Sequence, residues 1–228
     1  SYMLVFLGAY LLARELGAGK GGAVVAGVAF AYAPWRLAHN GQLNVISSGG
    51  IPLSLFLLVR GYRARSLWFV FAGWVVASWQ ITLGWSLGLQ FAYLLAVLAG
   101  IAFAIWLHRR RPRLDRGLVA ATALGICLFG IVSFMQARPY LRVIHDHPEA
   151  QRTPDVVAVY SPPLKGFLAA PANSFFWADA TAPIRNRLGR PWDETAHFPG
   201  LTIALLAALG VAVPGKSGSI QAMAACLL

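Results

Sequence analysis

Apolar runs broken at short intervals by clusters of Arg, Lys, Gly and Pro make up most of this chain. Crossing the hydrocarbon of a bilayer takes roughly 20 helical residues, each adding about 1.5 Å against a thickness of about 30 Å. Three runs meet that length: residues 66–84, 86–107 and 117–136. A fourth, Phe198 to Pro214, is a little short and is bounded by Pro199 and Gly215, residues suited to helix ends. The runs at 1–13 and 219–228 read as truncated spans, so the chain is expected to be a piece of a longer protein. Two further runs, Gly21 to Trp35 and Val45 to Val59, fall several ångströms short; Pro34 closes the first, and Gly49, Gly50 and Pro52 interrupt the second. Paired short segments broken by Gly and Pro point to a binding site. The polar stretch Arg36 to Asn44 between them is then expected below the outer surface, against protein or a water cavity.

Composition agrees with lipid as the solvent. The chain is 58% hydrophobic and 12% charged over 228 residues, too few charges to clothe a compact globule in water, which excludes an ordinary soluble enzyme. An aromatic content of 12% excludes a disordered chain. The net charge of +11 does not imply nucleic acid, because the cations sit in short tracts between apolar runs instead of interleaving with exposed aromatics. Cys127 and Cys226 both lie inside apolar runs and suggest no disulfide framework.

The distribution of those cations gives an orientation, since Lys and Arg in short loops stay on the cytoplasmic side. Every second loop is basic: Arg14 and Lys20; Arg60, Arg63 and Arg65; Arg109, Arg110, Arg111, Arg113 and Arg116; and Lys216. The opposite short loops hold only Arg36. The expected fold class is therefore all-α, a polytopic transmembrane helical bundle of about eight spans, two of them incomplete. Residues 1–136 would supply about six helices, residues 137–197 an extracytoplasmic segment, and residues 198–228 the remaining spans. The outer segment carries six of the chain's eight acids, and Val156 to Trp177 mixes prolines with Phe167, Phe175, Phe176 and Trp177, a composition suited to the lipid headgroup level.

Several strings resemble chemical motifs. Gly210 followed by Gly215, Lys216 and Ser217 matches the spacing of a phosphate-binding loop, but an apolar run ending in Pro214 replaces the strand and turn such a loop needs, and no acid follows Glu194. Gly17 to Gly22 is a short basic turn. His145, Asp146, His147 and Glu149 are the densest cluster of metal-ligand types, with a spacing that favours a solvated linker. Asp193, Glu194 and His197, where the outer segment returns to the membrane, are candidates for a general base or a ligand, or merely complement the dipole of the next helix. The loop from Pro34 to Asn44 is the strongest candidate site. There Arg36 would contact a phosphate, with His39, Asn40 and Gln42 binding hydroxyls or the same anion; the alternative is a solvated loop with helix caps. Gln80 and Gln90 are expected at the level of that loop, as interhelical hydrogen bonders or as part of the site.

These features resemble the multi-spanning bacterial glycosyltransferases of the GT-C superfold, including YfhO-like relatives. The resemblance rests on Ala29-Phe30-Ala31-Tyr32-Ala33-Pro34-Trp35-Arg36 with His39 and Gln42, on Ile51-Pro52-Leu53, on Ala77-Ser78-Trp79-Gln80, on Tyr160-Ser161 leading to Pro171 and Asn173, and on Glu194 followed by Phe198-Pro199-Gly200. It implies a multi-pass protein of the bacterial inner membrane that moves a sugar from a polyprenyl-phosphate donor to an acceptor on the outer face. A carboxylate would act as general base. Relatives usually carry that base in the first outer loop, which is expected upstream of Ser1, so Glu194 is the candidate left in this chain. Arg36 would hold phosphate, His39, Gln42 and Gln80 would line the sugar pocket, and the stretch from Tyr160 to Trp177 would cover it. A divalent metal is compatible with such chemistry; no organic cofactor or nucleic acid is expected, and the partners are the lipid-linked sugar and membrane lipid. The rival classes are a flippase or transporter of lipid-linked saccharides, which should show inverted repeats and mid-span charges, and an inactive structural relative.

Overall fold

The computed structural model describes residues 1–108, 115–147, 153–188 and 195–212, and the regular elements among them are all helical. In chain order they are α1 (Tyr2–Glu15), α2 (Lys20–Ala31), α3 (Pro34–Ala38), α4 (Leu43–Ile46), α5 (Gly50–Arg63), α6 (Leu67–Leu83), α7 (Trp85–His108), α8 (Arg116–Asp146), α9 (Pro154–Tyr160), a 3-10 turn (Leu164–Leu168), α10 (Ala182–Arg185) and α11 (Leu201–Ala212). Two compact units emerge. The first contains Ser1–Ala31 and Asn44–Pro139; the second contains Tyr32–Leu43 and the described residues from Tyr140 onward. The polar loop thus groups with the segment that follows α8 in sequence, not with the helices that flank it.

Three stretches among the described residues are long and apolar enough to cross a membrane: Leu43–Arg63 with 21 residues, α7 with 24 and α8 with 31. The α7 and α8 spans coincide with two of the expected crossings. The run at 66–84 becomes α6, a 17-residue apolar helix at the short limit for a crossing. The run read as too short, Val45 to Val59, gains length because α4 begins at Leu43 and α5, after a break, continues through the polar Arg60–Arg63 turn. Polarity likewise fails to stop α8, which runs past Gln136 to Asp146 and takes Pro139 inside it at the loss of one backbone donor. From Phe198 to Pro214 the described helix is α11, of 12 residues.

The core of the first unit is Leu58, Val70, Ala77, Phe91 and Leu95, with Ile51, Leu55, Trp74 and Phe129 packed around it. Small residues let the backbones approach, as helix contacts in lipid require. A Cβ at Gly61 of α5 would lie 2.6 Å from the Val70 nitrogen of α6, and one at Gly73 of α6 would lie 2.8 Å from Leu58. The Ser54 hydroxyl donates to the Gly73 carbonyl at 2.9 Å across the same seam. Outward from this core the surface is apolar. Tyr93, Val97 and Phe103 on α7 and Leu124, Ile131, Phe134 and Met135 on α8 are all exposed. Contiguous apolar surface of this kind is unfavourable in water and suits contact with lipid.

The break between α4 and α5 falls at Ser47–Gly49, next to the interruption expected from Gly49, Gly50 and Pro52. The Ile51 N–H turns back to the Ser48 carbonyl at 3.2 Å, so the Ser47 carbonyl loses the partner a continuous helix would give it. Gln80 of α6 reaches across and donates its amide to that oxygen at 2.9 Å, and the Ser1 hydroxyl donates to the Ile46 carbonyl at 2.9 Å. Two carbonyls at the interruption are thereby satisfied from other parts of the unit.

Candidate functional site

In the second unit, Ala33 is held extended at φ −51° and ψ 136° by the following proline, and Pro34 opens α3 where its missing N–H costs nothing. Trp35 and Arg36 lie on that short helix and His39 caps its end. Arg36 is 5% exposed and His39 is 4% exposed. The solvated-loop alternative predicts the opposite for these two residues. Gln42, at the end of the loop, is exposed.

His39 is anchored through its own helix: its Nδ1 lies 2.8 Å from the Trp35 carbonyl oxygen. A carbonyl only accepts, so Nδ1 is the donor in this contact. The imidazole packs on the Trp35 ring at 4.8 Å between centroids. Trp35 in turn stacks on His197 at 5.8 Å and an interplanar angle of 22°, and His197 packs on Phe167 at 5.8 Å. A continuous row of rings, His39–Trp35–His197–Phe167, therefore links the polar loop to two separate parts of the later segment. Trp35 Nε1 is buried within this row and donates to no described group.

Backbone bonds hold the other side of the row. The His197 N–H donates to the Gly166 carbonyl at 2.8 Å and the Phe198 N–H to the Ala169 carbonyl at 3.0 Å, pairing the 3-10 turn with the stretch of chain entering α11. Gly166 lies against the Thr195 carbonyl so closely that no Cβ fits. Behind it, Thr181 accepts from the Ala170 N–H at 3.0 Å and donates to the Trp177 carbonyl at 2.7 Å. The buried Arg185 guanidinium donates to the Ala170 and Ala178 carbonyls at 3.1 and 2.7 Å. Arg185 thus stitches the turn together with its charge held by carbonyl dipoles.

The sequence-derived site residues divide between the two units. Arg36, His39 and Gln42 share the second. Gln80 is in the first, fully buried, with its amide committed to Ser47, the interhelical one of the two roles expected for it, and Gln90 is exposed on α7. Tyr160 is the last residue of α9. Glu194 lies outside the described residues, as do Asp193, Glu149, the tract Arg109 to Arg113, and Gly215 to Ser217. His145 and Asp146 are neighbours at the exposed end of α8, with Nδ1 and Oδ1 3.0 Å apart. Among the described residues no three His, Cys, Asp or Glu side chains gather as a metal site. Sequence reasoning did not single out the stacking of Trp35 on His197 or the role of Arg185. Neither has a spacing signal, although an isolated arginine among Ala and Pro at 182–185 is the sort of residue that needs a partner.

No family model, curated protein or solved structure matches the chain.

Proposed function

We propose that this chain is part of a multi-pass glycosyltransferase of the bacterial inner membrane, with a GT-C-like arrangement, that transfers a sugar from a polyprenyl-phosphate donor to an acceptor at the outer face. The observation that carries this reading is the burial of Arg36 and His39 together on α3, joined through Trp35 to His197. A guanidinium meets a phosphate through parallel charge-assisted hydrogen bonds, and a lipid phosphate is the anion a membrane supplies. Trp35 Nε1 and the carbonyl-held Arg185 add donors and positive potential to the same unit.

In this reaction the acceptor hydroxyl oxygen attacks the anomeric carbon, the bond from that carbon to the lipid phosphate breaks, and the hydroxyl proton passes to a carboxylate. Arg36 would stabilise the charge that gathers on the departing phosphate. Glu194, close in sequence to His197, is this chain's candidate for the carboxylate.

The experiment is transfer from a radiolabelled polyprenyl-phosphate sugar in membranes containing the full-length protein. Losing a charge-assisted hydrogen bond to phosphate costs about 1.5–3 kcal/mol, so Arg36→Gln is expected to lower transfer per folded molecule roughly ten- to hundredfold at unchanged abundance. His39→Ala is expected to lower it as well. Unchanged transfer in both variants removes the loop from the site, and a donor that crosses the bilayer intact would assign a flippase instead.

A further inference from the structure

Around the approach to α11 the second unit exposes large apolar side chains that its own core does not use. Leu164 is 88% exposed, Phe175 92% and Phe176 79%, and Phe167 and Leu168 are exposed too. Their places are fixed against the beginning of α11. The 3-10 turn holding Leu164 and Leu168 is bonded through Gly166 and Ala169 to His197 and Phe198, which precede the first residue of α11, Leu201. Phe175 and Phe176 are followed by Trp177, whose ring meets the Phe198 ring edge-on at 5.5 Å. Gly200, at φ +97°, makes the final bend into the helix beside Trp177 Nε1. The helix that starts there is apolar and exposed along Leu201, Leu205 and Leu206.

We propose that Leu164, Leu168, Phe175 and Phe176 form an apolar collar seated in the outer leaflet, at the boundary of headgroups and acyl chains, where α11 enters the bilayer. An indole held at the same level suits that boundary, where one edge of the ring is apolar and the N–H is wet. Side chains lying in the interface reach about 5–10 Å into the headgroup–acyl boundary, the depth expected of residues one bend above a helix entering hydrocarbon. The occupant of the patch is lipid and not a protein partner, because the chain itself continues from it into the exposed apolar face of α11. The inference depends on α11 entering the membrane and not on sugar transfer.

The test uses full-length protein with Cys127 and Cys226 replaced by alanine, a single cysteine at Phe176 or Leu164, an environment-sensitive fluorophore, and vesicles of phosphatidylethanolamine and phosphatidylglycerol. Emission is expected to fall with nitroxide high on the acyl chain, to fall less with nitroxide near its end, and to resist aqueous iodide. Val97→Cys on the exposed face of α7 serves as reference and is expected to be quenched by the deep nitroxide. Quenching of both collar positions by iodide overturns the collar, and so does quenching by neither agent, which would mean cover by protein. If Val97 also escapes the lipid nitroxides, the membrane reading itself fails.

Discussion

A single amide shows what one residue does in this protein. Gln80 is fully buried and gives its amide hydrogen to the carbonyl of Ser47, which the interruption of α4 and α5 has left without a helical partner. Its Oε1 sits where a Cβ at Gly50 would be 2.7 Å away, so the glycine permits the approach and the amide closes the gap. Gln80→Leu fills similar space but strands a buried carbonyl, at a cost of about 1–3 kcal/mol, less where lipid-embedded partners rearrange. Thermal unfolding in detergent micelles is expected to shift down for Gln80→Leu, while the KM for the proposed lipid donor stays put; a raised KM at unchanged stability would assign Gln80 to the substrate site. The sequence announces the break through Gly49, Gly50 and Pro52, but not the residue that repairs it, 33 positions away. The same holds at the site. Arg36 and His39 were visible as polar residues in an unfavourable place, whereas the ring that ties them to the later segment, His197, was legible only as one of three candidates beside α11. Stacking at 5.8 Å has no signature in spacing, because it joins residues more than 150 positions apart.

Among elements, packing quality is concentrated at the α5–α6 seam. The bare backbone of Gly61 faces the Val70 nitrogen, Gly73 faces Leu58, and Ser54 spans the gap by its hydroxyl. Since lipid tails are as apolar as leucine, burying apolar area between helices gains little here, and close approach with its dispersion contacts does the holding. Gly61→Leu would push a side chain into backbone only 2.6 Å away, which cannot move as a flexible side chain can. Overpacking of this kind costs about 1–3 kcal/mol. The expected outcome is a folded yield in membranes well below that of Gly61→Ala, read by fluorescence-detected size exclusion. At the same C-terminal end of α5, the Glu15 pairs with Arg60 and Arg63 at 3.3 and 3.4 Å join two helix ends where the arginines remain partly in water, so they add little by comparison. Periodicity located α6, α7 and α8 because uniform apolar character over 17 residues or more leaves few alternatives. It matched the ends of α6 and α7 to within one residue and fell short at the C-terminal ends of α5 and α8. Helical hydrogen bonds do not stop where hydropathy does, and so Arg60–Arg63 and Ala137–Asp146 continue helices that their polarity would have closed.

For the molecule as a whole, the alternation of basic and neutral loops in the sequence sets the expected orientation of the chain. Arg14 and Lys20, then Arg60 to Arg65, then Arg109 to Arg116 occupy every second connection, and the polar loop with Arg36 lies in a connection between two of them. The proposed transfer from a donor in the outer leaflet requires that loop on the side opposite the arginine tract, because neither Arg36 nor His39 could otherwise meet the lipid phosphate that the proposal gives them. The orientation therefore constrains the chemistry more sharply than any single residue does. Single cysteines at Gln42, which is exposed, and at Arg113 give the measurement, in intact cells with an impermeant maleimide. Gln42→Cys is expected to react from outside without permeabilisation, and Arg113→Cys only after it. Reaction of both from the same side would break the alternation at one of the intervening helices. The helix to suspect would be α6, whose 17 residues sit at the lower limit for a crossing. In that case α6 would pack as a buried helix of the first unit and the outer-face transfer reaction would lose its premise, even if Arg36 and His39 still bound an anion.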